Sequence, residues 1–181
     1  EGQEATFSVS ANGEAPISYQ WYTNASGSWE QISGAENQDY TISEVANSDA
    51  GDYSVEVSNN CGAKTSNPAT LTVNDTIEIT SQPVSQTACE GENVTFDATV
   101  EGDINGYQWE TDVSGSWQEI SGETSDAYTI TGVGNADEGN YRLIIDGVCG
   151  NDTTNEVSLT VQDSITINSH PADETVCEGK E

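Results

Sequence analysis

Apolar and polar residues alternate along this chain in short bursts. TFSVSA at 6–11, SYQWYT at 18–23, DYTISEV at 39–45, YSVEVS at 53–58 and ATLTV at 69–73 follow the pattern, as does VTFDATV at 94–100. A period of two puts successive side chains on opposite faces of a pleated strand. Clusters of Gly, Asn, Asp and Ser end the bursts about every 8–12 residues, which is turn chemistry. No segment sustains a helical period over three turns. Short strands at this spacing predict an all-β chain of two-sheet sandwiches with about 90 residues in each.

The bursts also recur as sequence. GSWEQISG at 27–34 returns as GSWQEISG at 115–122, YQW at 19–21 as YQW at 107–109, and DAGDY at 49–53 as DEGNY at 137–141. From Trp21 onward the offset is a constant 88 residues. Solenoid repeats run about 20–50 residues, so each copy here is a whole domain. INSHPADETVCEGKE at 167–181 echoes ITSQPVSQTACEGE at 79–92. The reading is therefore one repeat over 1–89, a second over 90–177 and the start of a third at 178–181; a conventional strand phase would move the boundaries to near 75 and 163. The chain reads as a window on a longer tandem array.

Charge narrows the partners. Asp and Glu number 32 against 3 strong bases, Lys64, Arg142 and Lys180, for a formal net charge of −29. Such a field repels nucleic acid and anionic membrane surfaces, so neither nucleic-acid binding nor direct membrane insertion is expected. Neighbouring repeats of the same long chain are the first partners implied, and surface polysaccharide the second. Apolar content is 33%, yet 4 Trp, 7 Tyr and 2 Phe fall at repeating positions, which predicts a small core in each repeat. No run reaches the roughly 18 apolar residues of a membrane span.

Chemistry for catalysis is sparse. His170 is the only histidine and lies in the partial third copy. Neither full repeat can hold a histidine triad or a histidine-ligated metal, and no catalytic residue, cofactor site or metal site is assigned. Calcium is the one ion the sequence leaves open. EGDING at 101–106 and NADEGN at 135–140 cluster oxygen ligands, but neither has the twelve-residue calcium loop, and both read first as turns. Trp29 and Trp117 follow a Ser-Gly-Ser turn; packing beneath the next strand is the favoured reading, and stacking on a sugar ring the other.

Cys61 and Cys149 share one repeat position, and Cys89 and Cys177 share another. None has the close spacing of a metal-binding pair, so disulfides in an oxidising, extracytoplasmic setting are expected.

Pro83, EGENVTF at 90–96, Trp109, Tyr128, Ile130 and the Asp137-x-Gly139-x-Tyr141 element follow the order found in immunoglobulin-like domains of the intermediate type. The chain resembles that family over essentially its whole length. The resemblance implies that Trp21 and Trp109 are core residues and that Tyr53 and Tyr141 are tyrosine-corner residues. It also places the family's inter-sheet cysteines at Val9, Ala98, Val55 and Leu143, where apolar packing must serve instead. A Cys before Glu-Gly, a second Cys in the F–G turn and very acidic Ser/Thr/Asn-rich repeats resemble the tandem arrays of giant secreted surface proteins of Bacteroidota, including gliding-motility adhesins.

That resemblance implies an extracellular, non-enzymatic stalk or filament segment on a bacterial cell surface, with cell adhesion as its role. The alternative is a carbohydrate-binding or spacer module of a secreted multidomain hydrolase. It also implies O-glycan acceptors at Thr76 and Ser164, which share a repeat position, and at Thr153. Asn24, Asn74, Asn93 and Asn151 begin Asn-x-Ser/Thr sequons. Three disulfide arrangements stay open. One pairs Cys61 with Cys89 and Cys149 with Cys177 by folding the chain back at Asp75 and Asp163, so that the Pro83 segment edges the preceding domain. A second staples Cys89 to the F–G turn of the following repeat. The third lies within one conventional domain.

Overall fold

The computed structural model describes residues 2–179. Glu1 at the start of the first repeat, and Lys180 and Glu181 of the expected third, lie outside the described residues. The first repeat contains β1 (Ala5–Ser8), β2 (Ser18–Thr23), β3 (Glu30–Gln31), β4 (Asp39–Ile42), β5 (Gly51–Asn59), β6 (Gly62–Thr65) and β7 (Ala69–Leu71). The second contains β8 (Glu78–Ser81), β9 (Gln86–Cys89), β10 (Val94–Asp97), β11 (Thr99–Glu101), β12 (Ile104–Thr111), β13 (Gln118–Glu119), β14 (Ala127–Ile130), β15 (Gly139–Gly147), β16 (Gly150–Thr153) and β17 (Val157–Gln162).

Each repeat sets a small sheet against a larger one. β1 pairs antiparallel with β4, and the facing sheet runs β3-β2-β5-β6 with β7 also on β5. In the second repeat β10 pairs with β14, facing a sheet ordered β13-β12-β15-β17-β9. The alternating positions fill the space between them. Val55, Phe96, Trp109, Leu143 and Ile145 are essentially sealed from solvent, and Trp21, Tyr53 and Tyr141 are each only 3% exposed. Val55, Ala98 and Leu143 are buried and Val9 packs on the first core, so apolar contacts join the sheets where the related domains carry a disulfide.

Four rings form the centre of each core. Phe7, Trp21, Tyr40 and Tyr53 have neighbouring centroids 4.5–6.1 Å apart, and Phe96, Trp109, Tyr128 and Tyr141 repeat the arrangement at 5.1–6.2 Å. These separations are those of favourable aromatic packing. Their polar atoms are satisfied. Trp21 Nε1 donates to the Asn37 carbonyl and Trp109 Nε1 to the Ser125 carbonyl, both at 3.0 Å. The hydroxyls of Tyr53 and Tyr141 donate to the carbonyls of Asp49 and Asp137 at 2.7 and 2.6 Å, four residues back.

One segment departs from the fold-back arrangement. In that arrangement the strand after Pro83 runs beside the preceding repeat; in the structure β9 pairs parallel with β17, with Cys89 in register with Gln162. Proline explains the path. Pro83 is buried and cannot donate to a ladder, so pairing breaks between β8, which joins β11, and β9, which joins β17. The chain changes sheets at that residue. Ser85 Oγ and Gln82 Oε1 accept from the Ser158 and Asn155 amides and so tie the crossing to β17.

The chain divides into two compact units: residues up to Thr80 with Val100–Gly106 and Ile145–Asp152, and Ser81–Thr99 with Tyr107–Ile144 and the chain from Thr153 onward. The first unit thus contains parts of the second repeat.

Trp109→Ala is expected to destabilise the second repeat by about 3–5 kcal/mol, since it removes the central ring and leaves a cavity. Urea unfolding of the two-repeat chain measures this, and a loss below about 1 kcal/mol would refute the assigned core.

Candidate functional site

The segment joining the repeats is built into the fold rather than left as a tether. Asn47 Nδ2 donates to Asp75 Oδ1 at 2.6 Å, fixing the Asp75 side chain on the 3-10 turn at Asn47–Asp49. The Asp75 amide donates to Asp103 Oδ2 at 2.8 Å, and the Val148 amide to the Asp103 carbonyl at 3.0 Å. The Cys149 thiol donates to the Asn74 carbonyl with Sγ 3.5 Å away. All these residues fall in the first compact unit.

Two glycines make the approach possible. Gly102 has φ +113°, and a Cβ there would strike the Thr76 carbonyl. At Gly147 a Cβ would meet Ile77 Cδ1 at 2.5 Å. A side chain at Gly102 must displace the linker backbone, and one at Gly147 must at least move the Ile77 side chain. Asp103 and Asp137, from the two acidic turns weighed for calcium, have work in the polypeptide itself. The former holds the linker, and Asp137 Oδ2 accepts from the Gly134 amide at 2.9 Å. Among the described residues no group of three His, Cys, Asp or Glu side chains is arranged to hold a metal ion.

The two tryptophans that follow the Ser-Gly-Ser turns occupy different surroundings, Trp29 exposed and Trp117 half-buried. Trp29 is 49% exposed and shares a shallow groove with Tyr22, Glu56 and Pro68, so it does not pack beneath its strand. Trp117 is covered by Arg142, whose guanidinium carbon lies 4.1 Å from the ring centroid while its nitrogens bind Glu110 at 2.7–2.8 Å. Ser54 stands where Arg142 would be in the first repeat, and a serine cannot cover an indole. The repeats therefore do not present a matched pair of aromatic faces.

Cys61, Cys89, Cys149 and Cys177 are all exposed with free thiols. The reversed segment that would bring Cys89 to Cys61 is not formed, because β9 is held by β17, while the segment from Asp163 to Cys177 has no strand of its own. Thr76, Ser164 and Thr153 are exposed, and the Thr76 backbone packs at the linker described above. Sequence reasoning missed the linker contacts; the signal available was a pair of glycines, Gly102 and Gly147, at the ends of strands with no ligand to approach.

Comparison with known proteins gives the fold a name. Residues 1–59 match the family model for the immunoglobulin domain, and residues 79–163 match one described as Domain of unknown function (DUF8696). The structure is similar to titin domains I67–I69, with a TM-score of 0.69 at 20% identity over 90% of this chain and 61% of that one. It is also similar to Drosophila OTK extracellular domains 3–5, with a TM-score of 0.65 at 20% identity over 88% of this chain and 56% of that one. Among curated proteins, Endoglucanase C of Cellulomonas fimi is 28% identical over 97 residues, 52% of this chain and 9% of its own length. Muscle M-line assembly protein unc-89 of Caenorhabditis elegans is 28% identical over 154 residues, 81% of this chain and 2% of its own length. The chain has an immunoglobulin-like fold, and it spans only a small fraction of the curated relatives it matches.

Burial pushes the Tyr141 hydroxyl up to about 12, with Tyr128, Asp137 and Asp112 adding repulsion and the Thr111 side chain opposing the rise through a hydrogen bond. The neutral phenol is the form that donates to Asp137, so its stabilisation is complete below the ordinary tyrosine value of about 10 and is lost as pH rises through 12. Unfolding free energy of the second repeat is expected to fall between those pH values, and less steeply in Tyr141→Phe. Equal slopes for the two proteins would exclude Tyr141 as the titrating group.

Proposed function

We propose that this chain is a non-catalytic, extracellular structural repeat, a stalk or filament segment of a large bacterial cell-surface adhesin. The observation that carries this reading is the docked linker. Residues 74–77 bond to Asp103 and Cys149 and lie against Gly102 and Gly147, an investment that favours transmission of force over independent tumbling. Self-repulsion by a net charge of −29 further favours an extended rod over a collapsed chain. An open groove in the first repeat, lined by Ala11, Gly13, Ile17, Val57, Cys61 and Lys64, includes the counterparts of Gly102 and Cys149. Asn59 also lines it, at the counterpart of Gly147, and donates to the Glu14 carbonyl at 3.1 Å, so this groove is narrower in side-chain terms than the one that takes the 74–77 linker. Among the described residues no helix is long and apolar enough to cross a membrane.

A second reading, favoured by the match to Endoglucanase C and by exposed Trp29, is a carbohydrate-binding or spacer module of a secreted hydrolase. Calorimetry against soluble cello-oligosaccharides separates the two. Binding abolished by Trp29→Ala would support the second reading, and no heat of binding the first. In the adhesin reading Thr76, Ser164 and Thr153 carry O-glycan, which intact-mass analysis of native protein would reveal. Antibodies against the repeats are expected to label filaments on intact source cells; labelling confined to a released hydrolase would defeat the stalk.

Gly102→Val tests the docked linker. The substitution combines left-handed backbone strain of about 1–3 kcal/mol with a collision at Thr76. Limited proteolysis within 74–77 is expected to accelerate about ten- to a hundred-fold, because cleavage follows the population of the open segment. Unchanged cleavage with both repeats folded would show that the linker contacts carry no energy.

A further inference from the structure

The two cysteine positions of the repeat converge on one backbone carbonyl when the two junction ends of this chain are compared. At the first, the Cys149 thiol lies 3.5 Å from the carbonyl oxygen of Asn74. Asn74 and Gln162 are 88 residues apart and occupy the same repeat position. At the second, Cys89 is in register with Gln162, and the Glu90 amide donates to the Gln162 carbonyl at 2.9 Å. One cysteine thus reaches this carbonyl from the turn after β15 of the following repeat. The other flanks it from the end of β9 in its own repeat.

The equivalence is structural as well as sequential. Asn47 binds Asp75 at 2.6 Å, and Asn135 binds Asp163 at 2.8 Å, so the residue after the shared carbonyl is held in the same way in both repeats. The turn that follows the β9 cysteine also repeats. Gly91 donates to the Val133 carbonyl and Val133 back to Glu92, while Gly2 donates to the Val45 carbonyl and Val45 back to Gln3. By this equivalence a residue one position ahead of Glu1 in a tandem array would stand to Asn74 as Cys89 stands to Gln162. Register partners on adjacent strands are about 4.8 Å apart, and a disulfide requires Cα atoms within about 7 Å.

We propose that each junction is closed by a disulfide between successive repeats, joining the cysteine that ends β9 of one repeat to the cysteine of the β15–β16 turn in the next. Cys149 bonds to a cysteine immediately ahead of Glu1, and Cys89 to the counterpart of Cys149 one repeat further on. Cys61 and Cys177 belong to the adjoining junctions. Every cysteine position is then used once. A low-molecular-weight disulfide or a thiol oxidoreductase in its disulfide form supplies the oxidation. The two cysteines give up two protons and two electrons, the oxidant's S–S bond breaks, and it leaves as two thiols. The proposal rests on the tandem-array part of the functional reading and is independent of adhesion.

The 181-residue chain, equilibrated in a glutathione redox buffer and alkylated, is expected to keep Cys61, Cys89, Cys149 and Cys177 without an intrachain bond. A peptide joining Cys61 to Cys89, or Cys149 to Cys177, would overturn the proposal. The same chain with one cysteine added ahead of Glu1 is expected to lose two thiols and yield a peptide linking the new residue to Cys149. Cys149→Ser should abolish that link and Cys61→Ser leave it intact, with tryptophan fluorescence confirming that each variant folds. An added cysteine that stays reduced, or that bonds to Cys61, refutes the staple. A stapled chain that scatters as a collapsed particle would leave the disulfide standing and defeat the stalk.

Discussion

Each repeat depends on one buried indole whose single polar atom is satisfied. Trp21 and Trp109 stand on the larger sheet and reach the smaller one through Phe7 and Tyr40, or Phe96 and Tyr128, and each donates its N–H to a loop carbonyl. The apolar surface holds the sheets together, while the hydrogen bond fixes where the loop beyond the following strand must lie. A Leu would supply the first function only. With 33% apolar residues and no disulfide between the sheets, little else in the core could compensate for the loss of that ring.

Comparison of the two repeats separates what the fold requires from what it tolerates. Asn24 Nδ2 donates to Asp52 Oδ2 at 3.1 Å, and the Asp52 amide donates to Asn24 Oδ1 at 2.7 Å. In the second repeat the residues are exchanged. Asn140 donates through side chain and amide to Asp112 at 2.9 and 2.7 Å, which holds the Asp112 carboxyl below the usual carboxylate range. One amide and one carboxylate suffice, whichever strand carries which. Gln20 and Gln108, by contrast, make the same bonds to Ile32 and Ile120 from the same position.

Strands and core were legible because a period of two and a repeated aromatic set report directly on burial. The alternation in SYQWYT, for example, places Trp21 inward without any knowledge of its neighbours. Pairing across a sheet was less accessible. Nothing in QTAC at 86–89 distinguishes β17 from the preceding repeat as its partner, since both choices bury the same residues, and only the break at Pro83 decides between them. Trp117 and Trp29 show a second limit. Their local sequences are nearly identical, but the cover over Trp117 comes from Arg142 on a different strand. The linker was hidden for the opposite reason, because its docking surface is the absence of side chains at Gly102 and Gly147.

The hydrogen bond from Asn135 to Asp163 reproduces at the end of the second repeat what Asn47 and Asp75 form at the end of the first. Each of the two repeats therefore ends in the same side-chain lock. The receiving side is less constant, since Asn59 stands where Gly147 does, so duplication or deletion of one 88-residue unit would bring together halves that differ at that position. A unit copied behind a new neighbour would have to accommodate a side chain at that position before its joint could close, so the joint, rather than the core, is where recombination would meet resistance.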